Sequence, residues 1–179
     1  MNILGEKIVL RAIEPGDALL LKDLINEPET EQMVLGWSFP VSMQEQINWI
    51  NSLQKQDSLL RCIIQIKESN EAIGTAILSN IDYKNGTAGI HIKISGKGNQ
   101  RGRGYGFDTI NCLVNYAFKE LRLNCIYAQI ATYNKPSVSL FLKCGFEKEG
   151  ILRKRIYKRG EFFDVIVFSI INPKKGGQK

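Results

Sequence analysis

The residues best suited to chemistry lie in one short run, Arg101-Gly102-Arg103-Gly104-Tyr105-Gly106, within a chain of 179 residues. Glycines at alternate positions carry no Cβ, so several backbone N–H groups can crowd around one anion. A helical pattern begins near Gly104, and a helix N-terminus adds free donors and a favourable partial charge. Arg101 and Arg103 add formal positive charge, and arginine can grip phosphate in a bidentate way. The chemistry on offer is recognition of a phosphate or pyrophosphate. The same glycines also suit a tight turn that holds no ligand. The run lacks the Gly-x-x-x-x-Gly-Lys-Ser/Thr pattern of a Walker A loop. It also makes a poor dinucleotide fingerprint, because it follows an antiparallel region with no opening βαβ unit. An RNA-contacting arginine–glycine segment would want aromatic platform strands for stacking bases, and these are lacking.

Other reactive residues are sparse. Cys62, Cys112, Cys125 and Cys144 are far apart, and His91 is the single histidine. Metal-ligand spacing is absent, so no metal is expected and the cysteines read as buried free thiols. His91 is a tempting base, since imidazole titrates near neutral pH. In a strand, Ile90, Ile92 and Ile94 share one face and His91 and Lys93 the other. A sheet-surface histidine without a catalytic role is the favoured reading. Glu29, Glu31, Glu45, Asp82 and Asp164 are acidic candidates that the sequence does not rank.

Periodicity supplies the elements that must position these groups. Lys7–Ala12 alternates like a strand. Glu14-Pro15-Gly16-Asp17 opens a helix carrying Leu19, Leu20 and Leu24 up to Pro28. A short helical stretch follows at Thr30–Leu35. Ser42-Met43-Gln44-Glu45 is a capping box opening a helix to about Leu53, with Ile47, Ile50 and Leu53 at helical spacing. Leu60–Lys67, Ala72–Asp82 and Thr87–Ile94 form an antiparallel meander, its second turn marked by Asn85-Gly86, residues that tolerate positive φ. Ile110, Leu113, Val114, Ala117, Phe118 and Leu121 then predict a long amphipathic helix. Cys125–Ile130 reads as a strand and Pro136–Lys143 as a short helix ended by Gly145. A last hairpin pairs Gly150–Tyr157 with Phe162–Ile170. The expectation is one mixed α/β (α+β) domain over residues 6–171, with a polar, disordered tail at 172–179.

Hydrophobic residues at 44% and charged residues at 23% are ordinary for a soluble globular protein. No apolar run approaches the roughly 18 residues of a membrane span, and the N-terminus does not read as a signal peptide. The cytosol is the default location. A net charge of +6 suits anionic ligands or nucleic acid and speaks against a polycationic substrate.

Four segments together carry a family resemblance. Arg101-x-x-Gly104-x-Gly106 resembles the Gln/Arg-x-x-Gly-x-Gly/Ala signature of the GNAT acetyltransferase superfamily. Asn134 through Phe146, running from asparagine through a short helix to Gly145-Phe146, resembles that superfamily's second cofactor motif. Gly160-Glu161-Phe162-Phe163-Asp164-Val165 and Leu10-Arg11-Ala12 resemble the RimJ/RimL-like and spermidine acetyltransferase branches. The resemblance implies a mostly antiparallel sheet of about seven strands flanked by helices. It also implies a V-shaped splay between the fourth and fifth strands, here Thr87–Ile94 and Cys125–Ile130.

The implied activity is acetyl transfer from acetyl-CoA to a primary amine, either a protein N-terminus or a small amine, by direct attack on the thioester. Backbone groups of Ile92, Lys93 and Ile94 would pair with the pantetheine arm, and Arg101, Gly102, Arg103, Gly104, Tyr105 and Gly106 would hold the pyrophosphate. Asn134 fits the asparagine that contacts pantetheine, and equally a helix N-cap. Ser137 matches a serine proposed to assist the thiol, and equally a first-turn residue. Phe141 stands where many members carry a tyrosine general acid, and Ile156 where the branch carries a glutamate base, so neither proton route is open. Cys144 near the thiol reads better as a packed core residue. The acceptor pocket is expected from Trp37, Phe39, Trp49, Tyr157 and Phe163. Arg153, Lys154, Arg155, Lys158 and Arg159 meet an anionic acceptor or form a solvated hairpin edge, the second being favoured. A homodimer is left open. The alternatives are a non-catalytic acyl-CoA-binding module and a basic nucleic-acid-binding protein.

Overall fold

A computed structural model of the protein describes residues 1–36, 39–96, 100 and 102–173. Strand-forming stretches build β1 (Ile3–Leu4), β2 (Ile8–Arg11), β3 (Leu60–Ile66), β4 (Ala72–Asp82), β5 (Thr87–Ile94), β6 (Cys125–Ala131), β7 (Glu147–Lys158) and β8 (Glu161–Ile171). They make one sheet of order β1-β2-β3-β4-β5-β6-β8-β7. Every neighbouring pair is antiparallel except β5 and β6. The sheet has eight strands among the described residues, not about seven. The extra one, β1, is two residues long and too short to show a period.

The long helix α4 (Tyr105–Lys119) covers one face of the sheet. Its buried Ile110, Leu113 and Ala117 pack with Leu10, Ile64, Leu78, Ile90 and Phe168 in the main core. The other face carries α1 (Ala18–Asn26), α2 (Pro28–Met33) and α3 (Met43–Asn51). Its smaller core joins Ala18, Leu21, Ile50 and Ile63. The capping box forms as read: Ser42 Oγ accepts from Glu45 N–H, and Glu45 accepts from Ser42 N–H. Its apolar stripe is narrower than the spacing suggested. Ile47 is left 37% exposed, and the polar Gln46 is buried with Ile50 instead.

The turns obey backbone sterics. In the Asn85-Gly86 turn only Gly86 takes positive φ (68°), and Asn85 is held by the Asp82 carboxylate. The final hairpin turns through Arg159 and Gly160, both at positive φ (48° and 89°), as a two-residue turn with the twist of its strands requires. The ordered chain reaches further than expected, because Asn172 is buried and its N–H donates to Asn124 O at 2.8 Å. The rest of the expected tail, from 174 onward, lies outside the described residues.

Arg11, at the end of β2, grips Asp17 with two guanidinium bonds of 2.7 and 2.8 Å. Burial alone would raise the Asp17 carboxyl, but bonds from Arg11 and from Glu14 N–H outweigh it and hold the pKa below its ordinary value. The carboxylate therefore stabilises the fold fully above its unfolded pKa of about 3.9, and that share is lost as pH falls through the lower folded value. Asp17→Asn should lower stability by about 1–3 kcal/mol at neutral pH. Urea unfolding at pH 7 and at pH 3 checks this, with the variant losing less on acidification than the native protein.

Candidate functional site

The site begins where a ladder stops. β5 and β6 pair at only three positions, Thr87–Cys125, Ala88–Ile126 and Gly89–Tyr127. Beyond them β5 stays paired with β4 to Ile94, and β6 stays paired with β8 to Ala131. The strands therefore part, and the β6-facing edge of β5 past Gly89 has no strand partner. Such an edge offers backbone donors and acceptors to an extended ligand. A cavity of about 330 Å³ fills the gap, lined by Ile92, Lys93, Ala128, Asn134, Ser137 and Phe141 among others.

The glycine turn opens onto the same gap. A second cavity, about 460 Å³, is bounded by Gly102, Gly104, Tyr105 and Gly106 and shares Ile92 and Ser137 with the first. Gly102 and Gly104 take φ of 78° and 85°, a left-handed conformation that favours glycine. Gly106 is required for a different reason: a Cβ there would lie 3.0 Å from Leu140 and 3.6 Å from Ile94. Lys7 Nζ donates to Arg103 O at 3.0 Å, and the Asp108 carboxylate accepts the N–H groups of Glu6, Lys7 and Ile8. These contacts fasten the start of the chain to the first turn of α4. The sequence singled out neither Lys7 nor Asp108, because no local spacing links them to a turn about 100 residues away. Arg101 lies outside the described residues. Lys143 also borders this cavity, its ammonium 5.1 Å from the Phe107 ring centroid, and went unread for the same reason.

The other wall is α5 (Lys135–Lys143). Asn134 caps it, its Oδ1 accepting Ser137 N–H at 3.1 Å, so the capping reading is realised. At its far end Gly145 takes φ 85°, Phe146 N–H reaches Phe141 O at 3.1 Å and Gly145 N–H reaches Leu142 O at 3.0 Å. The Phe141 and Phe146 rings meet edge to face at 4.9 Å, completing a Schellman stop with its hydrophobic contact. Phe141 is thus a buried strut with no proton to give.

Three side chains pin the end of α2 and the segment after it over the gap. Tyr133 Oη donates to Gln32 O at 2.7 Å, and Asn134 Nδ2 donates to Met33 O at 2.9 Å. Lys158 Nζ donates to the Glu31 carboxylate, to Glu31 O at 3.0 Å and to Gly36 O at 2.8 Å. Short helices leave their last carbonyls unpaired, and these donors satisfy them. Lys158 is only 7% exposed, so it does not belong to a solvated hairpin edge. Met33–Gly36 consequently lines the gap in a fixed position.

Among the described residues, His91 and Lys93 are the only titratable side chains lining the gap. Burial and the neighbouring Lys93 push His91 below its ordinary pKa, leaving it neutral at pH 7. Its Nε2 lies 2.9 Å from Ser79 Oγ. Burial, with Lys158 nearby, also lowers Lys93, while Glu31 opposes the shift. The unranked acids have other work: Asp82 holds Asn85, Asp164 accepts Lys154 N–H and Glu31 meets Lys158. Cys144 is buried, with its thiol pushed up to about 11, so it stays protonated. Ile156, in place of a glutamate, is buried. Of the aromatic residues expected around an acceptor, Trp49 lines a third cavity, under α1 and α3. Phe39 is 70% exposed, Tyr157 leans at a tilt against Phe162 at the hairpin, and Phe163 packs edge to face on Tyr133. Trp37 lies outside the described residues.

A family model described as an acetyltransferase (GNAT) domain matches residues 7–147. The chain is 33% identical over 174 residues to the uncharacterized N-acetyltransferase p20 of Bacillus licheniformis, covering 96% of this chain and 97% of that one. It is 26% identical to spermidine N(1)-acetyltransferase of Vibrio cholerae, covering 96% of each. A crystal structure of spermidine N-acetyltransferase from Vibrio cholerae, in complex with CoA and spermine, superposes with a TM-score of 0.83. There the identity is 27%, over 92% of this chain and 95% of that one.

Gly104→Val places a β-branched residue at φ 85° in the turn and should lower the melting temperature by several degrees. Gly104→Asn, whose side chain tolerates this conformation, should lower it less. Thermal unfolding checks the pair. Lys158→Met leaves two carbonyls and the Glu31 carboxylate without this donor and should lower stability by about 1–3 kcal/mol, read by urea unfolding.

Proposed function

The chain belongs to the GNAT acetyltransferase family, and on that premise we propose that it moves an acetyl group from acetyl-CoA to a primary amine. The observation that carries this reading is the continuity of the glycine-turn cavity with the β5–β6 gap through Ile92 and Ser137. A pyrophosphate on the Gly102–Gly106 backbone and a pantetheine arm along β5 lie on that one path. Gly106 carries no Cβ, so Leu140 and Ile94 can close against the start of α4 and wall that path.

Acetyl-CoA supplies the acetyl group as a thioester whose carbonyl carbon the amine attacks directly. Backbone groups of Ile92, Lys93 and Ile94 hold the arm as an added strand would, and one N–H polarises the carbonyl oxygen. Lys93, positive at the edge of the gap, disfavours an incoming ammonium and so favours the neutral amine. His91 is the base in this scheme. With Nε2 at Ser79 Oγ, the proton released by the attacking nitrogen goes to Nδ1. Ser137, shared by the two cavities, stands where a hydroxyl can donate to the departing sulfur. Phe141 and Ile156 take no part in proton transfer. Acceptors of this class range from a protein N-terminus to small amines.

The test mixes acetyl-CoA with a panel of amines and N-terminal peptides and measures free CoA thiol. Release with at least one amine is expected, and none with any would overturn the reading in favour of a binding module. His91→Ala should lower kcat by about 10²-fold with CoA affinity unchanged. Native kcat/KM should fall on acidification below a pKa lying under the ordinary histidine value of about 6.5, and that limb should vanish in the variant. Ser137→Ala should lower kcat while leaving acetyl-CoA affinity intact.

A further inference from the structure

The third cavity, about 390 Å³, lies between α1, α3 and the sheet and shares Ile77 and Lys93 with the β5–β6 gap. A molecule seated there can present an amine to the gap through that junction. Most of its wall is apolar, with Leu21, Leu24, Val41 and Trp49 as its larger members. One feature of that wall is out of keeping with an empty apolar pocket. Gln46, on α3, is 1% exposed, lines the cavity, and its Nε2 has no hydrogen-bond partner. A buried amide left unpaired is costly, and this side chain belongs to the wall of the space a ligand would fill.

The charges choose among ligands. Glu45 is the only carboxylate on the wall among the described residues, and it is already engaged by Ser42 N–H at 2.7 Å. The cations are Arg61, whose guanidinium carbon stands 5.7 Å from the Trp49 ring centroid, and Lys93. A polyamine needs carboxylates along its length and would meet two cations instead. An oxygen acceptor would meet three donors.

We propose that this cavity selects a primary amine with an apolar body and a carbonyl or carboxylate oxygen, the chemistry of an apolar α-amino acid, its amide, or a peptide beginning with one. The Gln46 amide nitrogen donates to that oxygen, and Arg61 and Lys93 supply counter-charge when it belongs to a carboxylate. The assignment rests on the acetyl-transfer reading above and names its acceptor.

Calorimetry on the CoA-saturated protein, with leucine, leucinamide, a leucyl tripeptide, isopentylamine and spermidine, tests it. Leucine or leucinamide should bind at least about tenfold more tightly than isopentylamine, which lacks the oxygen, and than spermidine. Tripeptide binding as tight as that of leucinamide assigns the oxygen to a peptide N-terminus, and its loss assigns it to the free amino acid or amide. Gln46→Met should erase the preference about tenfold while leaving isopentylamine unchanged, which shows the cavity intact. Spermidine or isopentylamine matching leucine and leucinamide in the native protein overturns the assignment without need of a variant. Acetyl-CoA consumption is followed separately with the same amines. Tight binding of leucinamide without thiol release faults the transfer reading and leaves the ligand class of the cavity standing.

Discussion

The short parallel contact between β5 and β6 is the constraint on which the rest of the site depends. A sheet gains by pairing every edge, yet these two strands separate after Gly89 and Tyr127. Each keeps its outer partner along its full length, β4 for one and β8 for the other, so separation costs neither strand its place. The α4 core holds the β5 side through Ile90, Ile92 and Ile94, while Phe141 and Phe146 brace the other side beneath α5. What results is an unused strand edge inside a rigid frame. That arrangement can bind an extended chain without first ordering itself.

The two walls of the opening end in helix N-termini, and each is prepared by its own local chemistry. At α4 the backbone enters through left-handed glycines, and Asp108 ties the turn to the start of the chain. At α5 Asn134 both caps the helix and reaches across to Met33 O. The Tyr133, Asn134 and Lys158 donors together fix the end of a short helix and the segment that follows it. Lys158 illustrates how a charge is tolerated in the interior: its ammonium is surrounded by two carbonyls and the Glu31 carboxylate. Charge on the wall also shapes the proposed chemistry, since Lys93 and His91 line the gap while Phe141 brings no ionisable group to it.

Much of the frame was legible because its signals are local. The capping box at Ser42 and Glu45, the breaks at Gly86 and Gly145, and the apolar period of α4 act within a few residues of chain. The glycine turn before α4 was legible too, since alternate glycines ahead of an apolar helical period mark a turn into a helix. Gln46 was not. The spacing of Ile47, Ile50 and Leu53 placed the apolar stripe slightly off, and only packing against α1 shows which face of α3 turns inward. Lys158 sat in a run of five basic residues within a hairpin, and nothing in its neighbours distinguishes it from Arg153 or Arg155.

By itself the sequence determined the order of elements from β2 onward, the glycine turn, the caps and the absence of a hydroxyl at Phe141 and a carboxylate at Ile156. Each of these follows from residue type and near spacing, where backbone sterics and hydrogen-bonding capacity leave few choices. The tertiary structure decided what lies across the gap from what. It brought His91 and Lys93 to the same opening as Asn134 and Ser137, buried Lys158 under the segment after α2, and joined an apolar cavity to that opening at Ile77. Those pairings join residues dozens of positions apart, and only the closure of the sheet and the packing of its two faces set them.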